Sequence, residues 1–388
     1  MPAATAHAQQ SDEEESLFEL PEEEEENNGE EEEDAERVER DEEKSLDEMT
    51  REEAIEAGFV FGEEDEDDSR NASIFLAATA GLFAHGVGHW SIEERDTAVF
   101  LFGMQGASLA LVGGALGWQA LSEDSPSSRS YTSTALVAGG GLFGLSYLLD
   151  VLGTTYDTDL GFPSNRRRTR GIALGTNYTF HDLEGYETDS LQMLGAEAIV
   201  DMGWGYVRAR TDHDVQLETS GYGGTLGTRF GQGPNPHSYL FAEVEGEMLG
   251  YSQAGRFRRL GGQALVGLSV GLGDWFGHLR QVAAGASVGA AARRYALPVG
   301  EGDDFEASSW TSHIPVETFI HLNLSERLNA RAAYANREGS LIQSGPRGVG
   351  VGSLQLQYES GRNLDLVLGA EAGGGLALSA GLRLWLWE

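Results

Sequence analysis

The chain has 388 residues, room for two or three domains, and a net charge of −37 from 63 acidic and 26 basic residues. The imbalance is local, because residues 1–70 hold 31 of the acids and 5 of the bases. Cysteine is absent, which excludes disulfides and thiolate metal sites, and a tail this acidic repels nucleic acid.

Residues 1–70 contain too few apolar side chains to offset the entropy of ordering, so they read as a disordered acidic tail. A short helical stretch is expected around Ser45 to Ala57. At the start, Ala6-His7-Ala8 followed by Gln9-Gln10 fits a signal-peptidase site, residues 1–10 then being a signal-peptide remnant, or a chance Ala-rich terminus.

Residues 71–155 form an apolar segment of about three helices, in the runs Ser73 to Ile92, Thr97 to Leu121 and Tyr131 to Leu149. Each is near membrane-spanning length, but Gly and Ala are frequent, which lowers the drive to insert. The segment could span a membrane, plug a barrel or pack in the periplasm. His85 and His89 stand four apart, the spacing of two metal ligands on one helix face. No third ligand with comparable placement follows, so no metal site is assigned, and hydrogen bonding within a helical turn or to a barrel rim is the plainer reading. Residues 156–169 form a basic linker; Arg166, Arg167, Arg168 and the adjoining Arg170 would anchor anionic lipid headgroups, flank an inner-membrane span, or form a solvated hinge.

From residue 170 to 388 the period becomes two, in segments of roughly ten residues. Leu364, Leu366, Leu368 and Ala370 oppose Asp365 and Glu371; Leu376, Leu378, Ala380, Leu382, Leu384 and Leu386 oppose Ser379, Gly381 and Arg383. Strands centre near residues 175, 195, 207, 225, 243, 267, 287, 317, 331, 354, 367 and 381. Twelve is an even number, and tight connections alternate with long polar ones. The fold expected is mainly β, an antiparallel transmembrane β-barrel of about twelve strands, with the long connections facing the exterior. A soluble sandwich would carry more bulky aromatics on its core face.

Parity then assigns Arg208, Arg210, Glu243, Glu245, Glu247, Glu317, Arg331 and Asp365 to the lumen. They would line a narrow charged pore, or pair with one another inside a plugged barrel. On the same parity Gly381→Ser and Asp365→Asn point inward and are expected to matter far less than Leu382→Arg or Leu366→Arg on the lipid-facing side. No catalytic residues and no cofactor motif are assigned: His237 and Ser238 are adjacent, hence on opposite strand faces, and make no acid–base pair for a lipid-cleaving enzyme.

The C-terminal strand resembles that of bacterial outer-membrane barrels, in which a polar residue, a glycine two later and alternating apolar residues serve as the assembly signal. Ser379, Gly381, Leu384 and Leu386 fit that spacing, with Trp385 and Trp387 supplying aromatics; the chain departs from the pattern by ending on Glu388. The resemblance covers about residues 170–388. It implies a Gram-negative outer membrane, with outer-membrane lipids and the outer-membrane assembly machinery as partners, the tail in the periplasm, and a structural or porin-like passive-transport role without catalysis. The competing reading is an inner-membrane protein with three spanning helices and a soluble β-domain.

Overall fold

The computed structural model describes residues 64–122, 126–155, 171–182, 190–215, 219–231, 237–251, 258–297, 307–336 and 350–387. The acidic tail before Glu64, the 45–57 stretch and the arginines at 166–170 lie outside the described residues. Four helices come first: α1 (Glu64–Thr79), α2 (Val87–Ser91), α3 (Arg95–Leu121) and α4 (Pro126–Thr155). Thirteen strands follow: β1 (Gly171–Asp182), β2 (Ser190–Asp201), β3 (Gly205–Asp214), β4 (Thr219–Phe230), β5 (Tyr239–Tyr251), β6 (Arg258–Gly271) and β7 (Val282–Leu297). The set ends with β8 (Ala307–His313), β9 (Val316–Asn323), β10 (Leu328–Ala335), β11 (Val351–Glu359), β12 (Leu364–Ala372) and β13 (Leu376–Trp387).

Helix α1 begins inside the stretch read as tail, because acidic residues at a helix start are favoured by the backbone dipole. The first apolar run does not form one long helix. Gly86 adopts φ +92, a conformation that breaks the path between His85 and His89, and a Cβ there would lie 2.6 Å from the Ala98 carbonyl oxygen.

The sheet is closed. β1 pairs with β2 on one side and β13 on the other, and antiparallel pairing continues round the ring through the β6–β7 contact. β7 gives Val282–Val288 to β9 and Ala291–Leu297 to β8 in one register. β8 and β9 are therefore a single stave, interrupted at Ile314 and Pro315, and the barrel has the twelve staves expected. Proline has no N–H to offer the ladder. Asn336 closes the gap: its Oδ1 accepts from the Val316 N–H at 2.5 Å, and its Nδ2 donates to the Ile314 oxygen at 2.7 Å. The connections 202–204, 324–327 and 360–363 share one end with Gly171 and Trp387, and the long connections 298–306 and 336–350 lie at the other.

Alternation along each strand sets the two faces. Outward Leu226, Val244, Leu260, Leu354, Leu368 and Leu384 are exposed round the wall, as a lipid-facing band requires. This uncovered apolar band overturns the inner-membrane alternative, since a soluble β-domain would have to cover it.

The covered exception is β9, where outward Val316, Thr318 and Ile320 are 9%, 8% and 1% exposed. Helix α4 lies on this part of the outer wall. Gly141 packs against the Thr318 side chain and Gly140 against the Tyr334 ring. Leu145 and Leu149 join Val282, Ile320, Leu272 and Leu279 in one apolar cluster, with Leu101 of α3 behind them. Helix α3 packs on α4 and leaves Val99, Leu109 and Leu116 exposed.

Gly381→Ser is a poor control for the inward face. A Cβ at Gly381 would sit 2.7 Å from the Thr176 carbonyl oxygen, across the seam where β13 meets β1. A cleaner test of the two faces uses Leu354, exposed outward, and Gln355, which lines the interior. Leu354→Arg should lower stability by about 2–4 kcal/mol if it lies near the membrane midplane, and Gln355→Arg far less, in urea unfolding from lipid vesicles. Equal losses would contradict the lipid-facing assignment. A leucine at Gly141 should push α4 off the wall: hydrogen exchange across α4 rises, while the barrel keeps its faster gel mobility before boiling. Unchanged protection of α4 would count against the docking.

Candidate functional site

Inside the barrel a cavity of about 860 Å³ is lined by residues from near both ends, from Asn323, Asn329 and Glu359 by the short turns to His181, Glu371 and Leu249 by the long connections. Arg208, Arg210, Glu243, Glu245, Glu247, Glu317 and Arg331 all line it. Asp365 points the same way but is fully buried. Its Oδ2 accepts from Trp385 Nε1 at 2.7 Å and Gln357 Nε2 at 2.8 Å, beneath the cavity lining.

Register brings these groups into a row. Read from strand to strand, directly paired inward positions run Asp365, Arg383, Gly175, Glu197, Arg210, Gly223, Glu247, Gly261, Arg293. Barrel strands tilt by roughly 35–45°, so the row climbs the wall from the short-turn end toward the long connections. Its charges alternate in sign, and its glycines make room for them. Arg383 reaches over Gly175 to Glu197 at 2.7 Å. Arg210 lies over Gly223 and contacts Glu245 at 2.9 Å. Glu247 leans over Gly261 toward Arg293 at 3.1 Å, and also receives Arg259 at 3.4 Å. A Cβ at Gly175 or Gly223 would stand 2.7 Å from Glu197 Cγ or Arg210 Nε, and at Gly261 3.0 Å from Glu247. Among the described residues these long side chains therefore lie along the wall, with the cavity beside them.

Further pairs brace the same surface. Arg229 grips both oxygens of Asp201 at 3.1 Å, with its guanidinium 5.0 Å from the Tyr206 ring. Tyr206 donates to Glu243, and Arg331 pairs with Glu317. Arg208 projects into the cavity with no ion pair among the described residues. Glu197, Arg229, Arg259, Arg293 and Arg383 were not singled out from sequence; parity marks them as inward, but only register shows their partners.

Round the outer wall the side chains are mostly apolar, round the inner wall mostly charged and paired, and the sheet closes on itself through the β1–β13 and β6–β7 ladders. The chain folds as a transmembrane β-barrel. No family model and no curated protein matches its sequence. Among solved structures it is similar to the KdgM porin, at 7% identity and TM-score 0.34, over 55% of this chain and 98% of that one. The NanC porin matches at 8% and 0.33 over 55% and 98%. The translocator domain of the autotransporter NalP from Neisseria meningitidis matches at 12% and 0.33 over 57% and 90%. The barrel assignment rests on the closed registers and the two faces, and not on these likenesses.

A second polar cluster sits in the helical layer at the short-turn end. His85 Nδ1 lies 2.5 Å from Ser146 Oγ, and His89 Nδ1 lies 2.8 Å from Asp150 Oδ1. Asp150 Oδ2 accepts the Gly86 N–H at 2.8 Å, and Gln105 accepts the His85 N–H at 3.1 Å. The histidines therefore bond to α4, neither within one helical turn nor to the rim, and each keeps a buried Nε2 without a partner. Among the described residues no group of three or more His, Cys, Asp or Glu is arranged to hold a metal ion. Ser238 is engaged structurally, accepting the Gly271 N–H at 3.0 Å.

Burial pushes the His85 imidazole below its ordinary value of 6.5, against the weaker opposing pull of Asp150. The unfolded ring binds a proton below about 6.5 while the folded one resists, so the docking of these helices is strongest above that pH and weakens as pH falls through the folded value. Protection of the α4 amides, taken relative to their intrinsic exchange rate at each pH, should fall from pH 7.5 to 5.5 in the native protein, and His85→Gln should flatten that dependence. An unchanged slope in the variant would sink the assignment.

Proposed function

We propose that this barrel is a passive pore for small hydrophilic solutes across the outer membrane, with no catalytic role. The observation that carries the reading is the continuous cavity, whose long charged side chains are folded against the wall over glycines instead of meeting across the centre. A plug built from acid–arginine pairs would place those pairs across the bore. Porins among the similar folds agree with this reading without deciding it. The acidic tail would lie in the periplasm, on the side of the short turns, and the α3–α4 hairpin would lie in the bilayer beside β9. Helix α3 is ~40 Å long at 1.5 Å per residue, enough to cross the hydrocarbon, and its exposed apolar face would meet lipid.

Folded protein in planar bilayers should give discrete conductance steps. Glu247 stands among Arg210, Arg259 and Arg293, so Glu247→Gln removes the negative charge these arginines share and should move the reversal potential in a salt gradient toward anion preference. Heat-modifiable protein that conducts no better than bare lipid would show that the lumen is sealed.

A further inference from the structure

We infer that Arg210, Arg259 and Arg293 form a binding site for an oxyanion, the carboxylate or phosphate group of a small solute, on the inner wall toward the long connections. The inference deepens the pore reading above and rests on it for access to the lumen. Arg259 stands near the start of β6 and Arg293 near the end of β7, and both line the cavity. They are 7% and 8% exposed. Among the described residues Glu247 is the one carboxylate within ion-pair distance of either. Its Oε2 lies 3.4 Å from Arg259 Nη2, and its Oε1 lies 3.1 Å from Arg293 Nε. Arg210 approaches the same Oε2 at 4.0 Å, while holding Glu245 at 2.9 Å.

Two buried guanidiniums therefore share one negative charge, and the surplus sits where water solvates it poorly. Arg259 Nε is buried and has no hydrogen-bond partner. Of the five N–H groups on that side chain, only those on Nη2 come near an acceptor. A buried donor left without an acceptor is destabilising, more so on a charged group. The remaining contact of Arg293 brings no counter-charge, because its Nη1 lies 3.3 and 3.4 Å from the two ring nitrogens of His313. Gly261 pairs with both Glu247 and Arg293 and has no side chain to cover them. Arg210, with its side chain 48% exposed, joins this cluster to the open part of the cavity. A carboxylate or phosphate accepts parallel N–H···O bonds from guanidiniums. A halide cannot reproduce that geometry, and a neutral sugar brings no charge.

The test titrates succinate and, separately, inorganic phosphate into the folded full-length protein in detergent by isothermal calorimetry. Chloride and glucose serve as comparison probes. The native protein should bind at least one of the two oxyanions and neither comparison probe; succinate alone marks the carboxylate as the ligand group, and phosphate alone the phosphate. The Arg259→Gln/Arg293→Gln double variant should bind about tenfold or more weaker. Arg362→Gln, in a turn at the opposite end, should bind as the native protein does. Glu247→Gln removes the carboxylate that competes for the same guanidiniums, and should bind about fivefold or more tighter, a gain that misfolded protein would not show. No binding by the native protein, equal binding by the double variant, or no gain in Glu247→Gln would each overturn the site. Conductance in planar bilayers is read on the same preparation. Conductance steps without oxyanion binding remove the site and leave the pore; binding without conductance keeps the site, reached from one mouth, and removes the pore.

Discussion

Everything in this molecule depends on satisfying backbone N–H and C=O groups on a wall that faces hydrocarbon. Each unpaired group there costs several kcal/mol, so the sheet has to close, and the β1–β13 ladder closes it. The interruption of the stave at Ile314 and Pro315 shows how strict the demand is. Pro315 cannot donate, yet its carbonyl still accepts from Gly289, and the groups on either side are taken by Asn336. Helix α4 then lies over this stave, and Thr134 reaches the Ile314 carbonyl at 3.4 Å. The weakest stretch of the wall is also the one with a second layer.

The two faces follow from closure. Parity with a period of two gives an outer skin of Leu, Val and Ala and an inner skin of Glu, Asp and Arg, and the inner skin can remain charged because its groups pair across strands. Pairing alone would fill a bore this narrow with long side chains. The glycines at 175, 223 and 261 relieve that crowding, since an arginine or glutamate can turn sideways onto bare backbone. Glycine on the inner wall thus acts as spacing for its neighbours more than as flexibility for itself.

Much of this was legible in the sequence. Period-two alternation from residue 170 located all twelve staves, and the orientation of Arg208 and Arg210 against the parity of the neighbouring strands was readable because β3 has its apolar residues at odd positions. What escaped was relational. Arg383 and Glu197 are 186 residues apart in the chain, and only the register across the β1 seam makes them partners. The Asp365–Trp385 bond hides in the same way, and so does the crowding at Gly381, which depends on a carbonyl from the first strand. For the helices, runs rich in Gly and Ala read equally well as spans, plug or periplasmic layer. The clue lay on the strand: Thr318 and Tyr334 are polar interruptions in an otherwise apolar outward face, where α4 docks. The His85–His89 spacing misled because Gly86 turns the chain between them, so the pair faces α4 from two different elements.

The glycine-backed row also has a consequence for how such a barrel diversifies. Bore width is held by positions that have no side chain, beneath residues whose charges balance. A single glycine-to-alanine step would lift one guanidinium or carboxylate off the wall and into the cavity, leaving net charge and strand count untouched. The free space inside this architecture is thus adjustable in small increments at sites that no inventory of charged or aromatic residues would include.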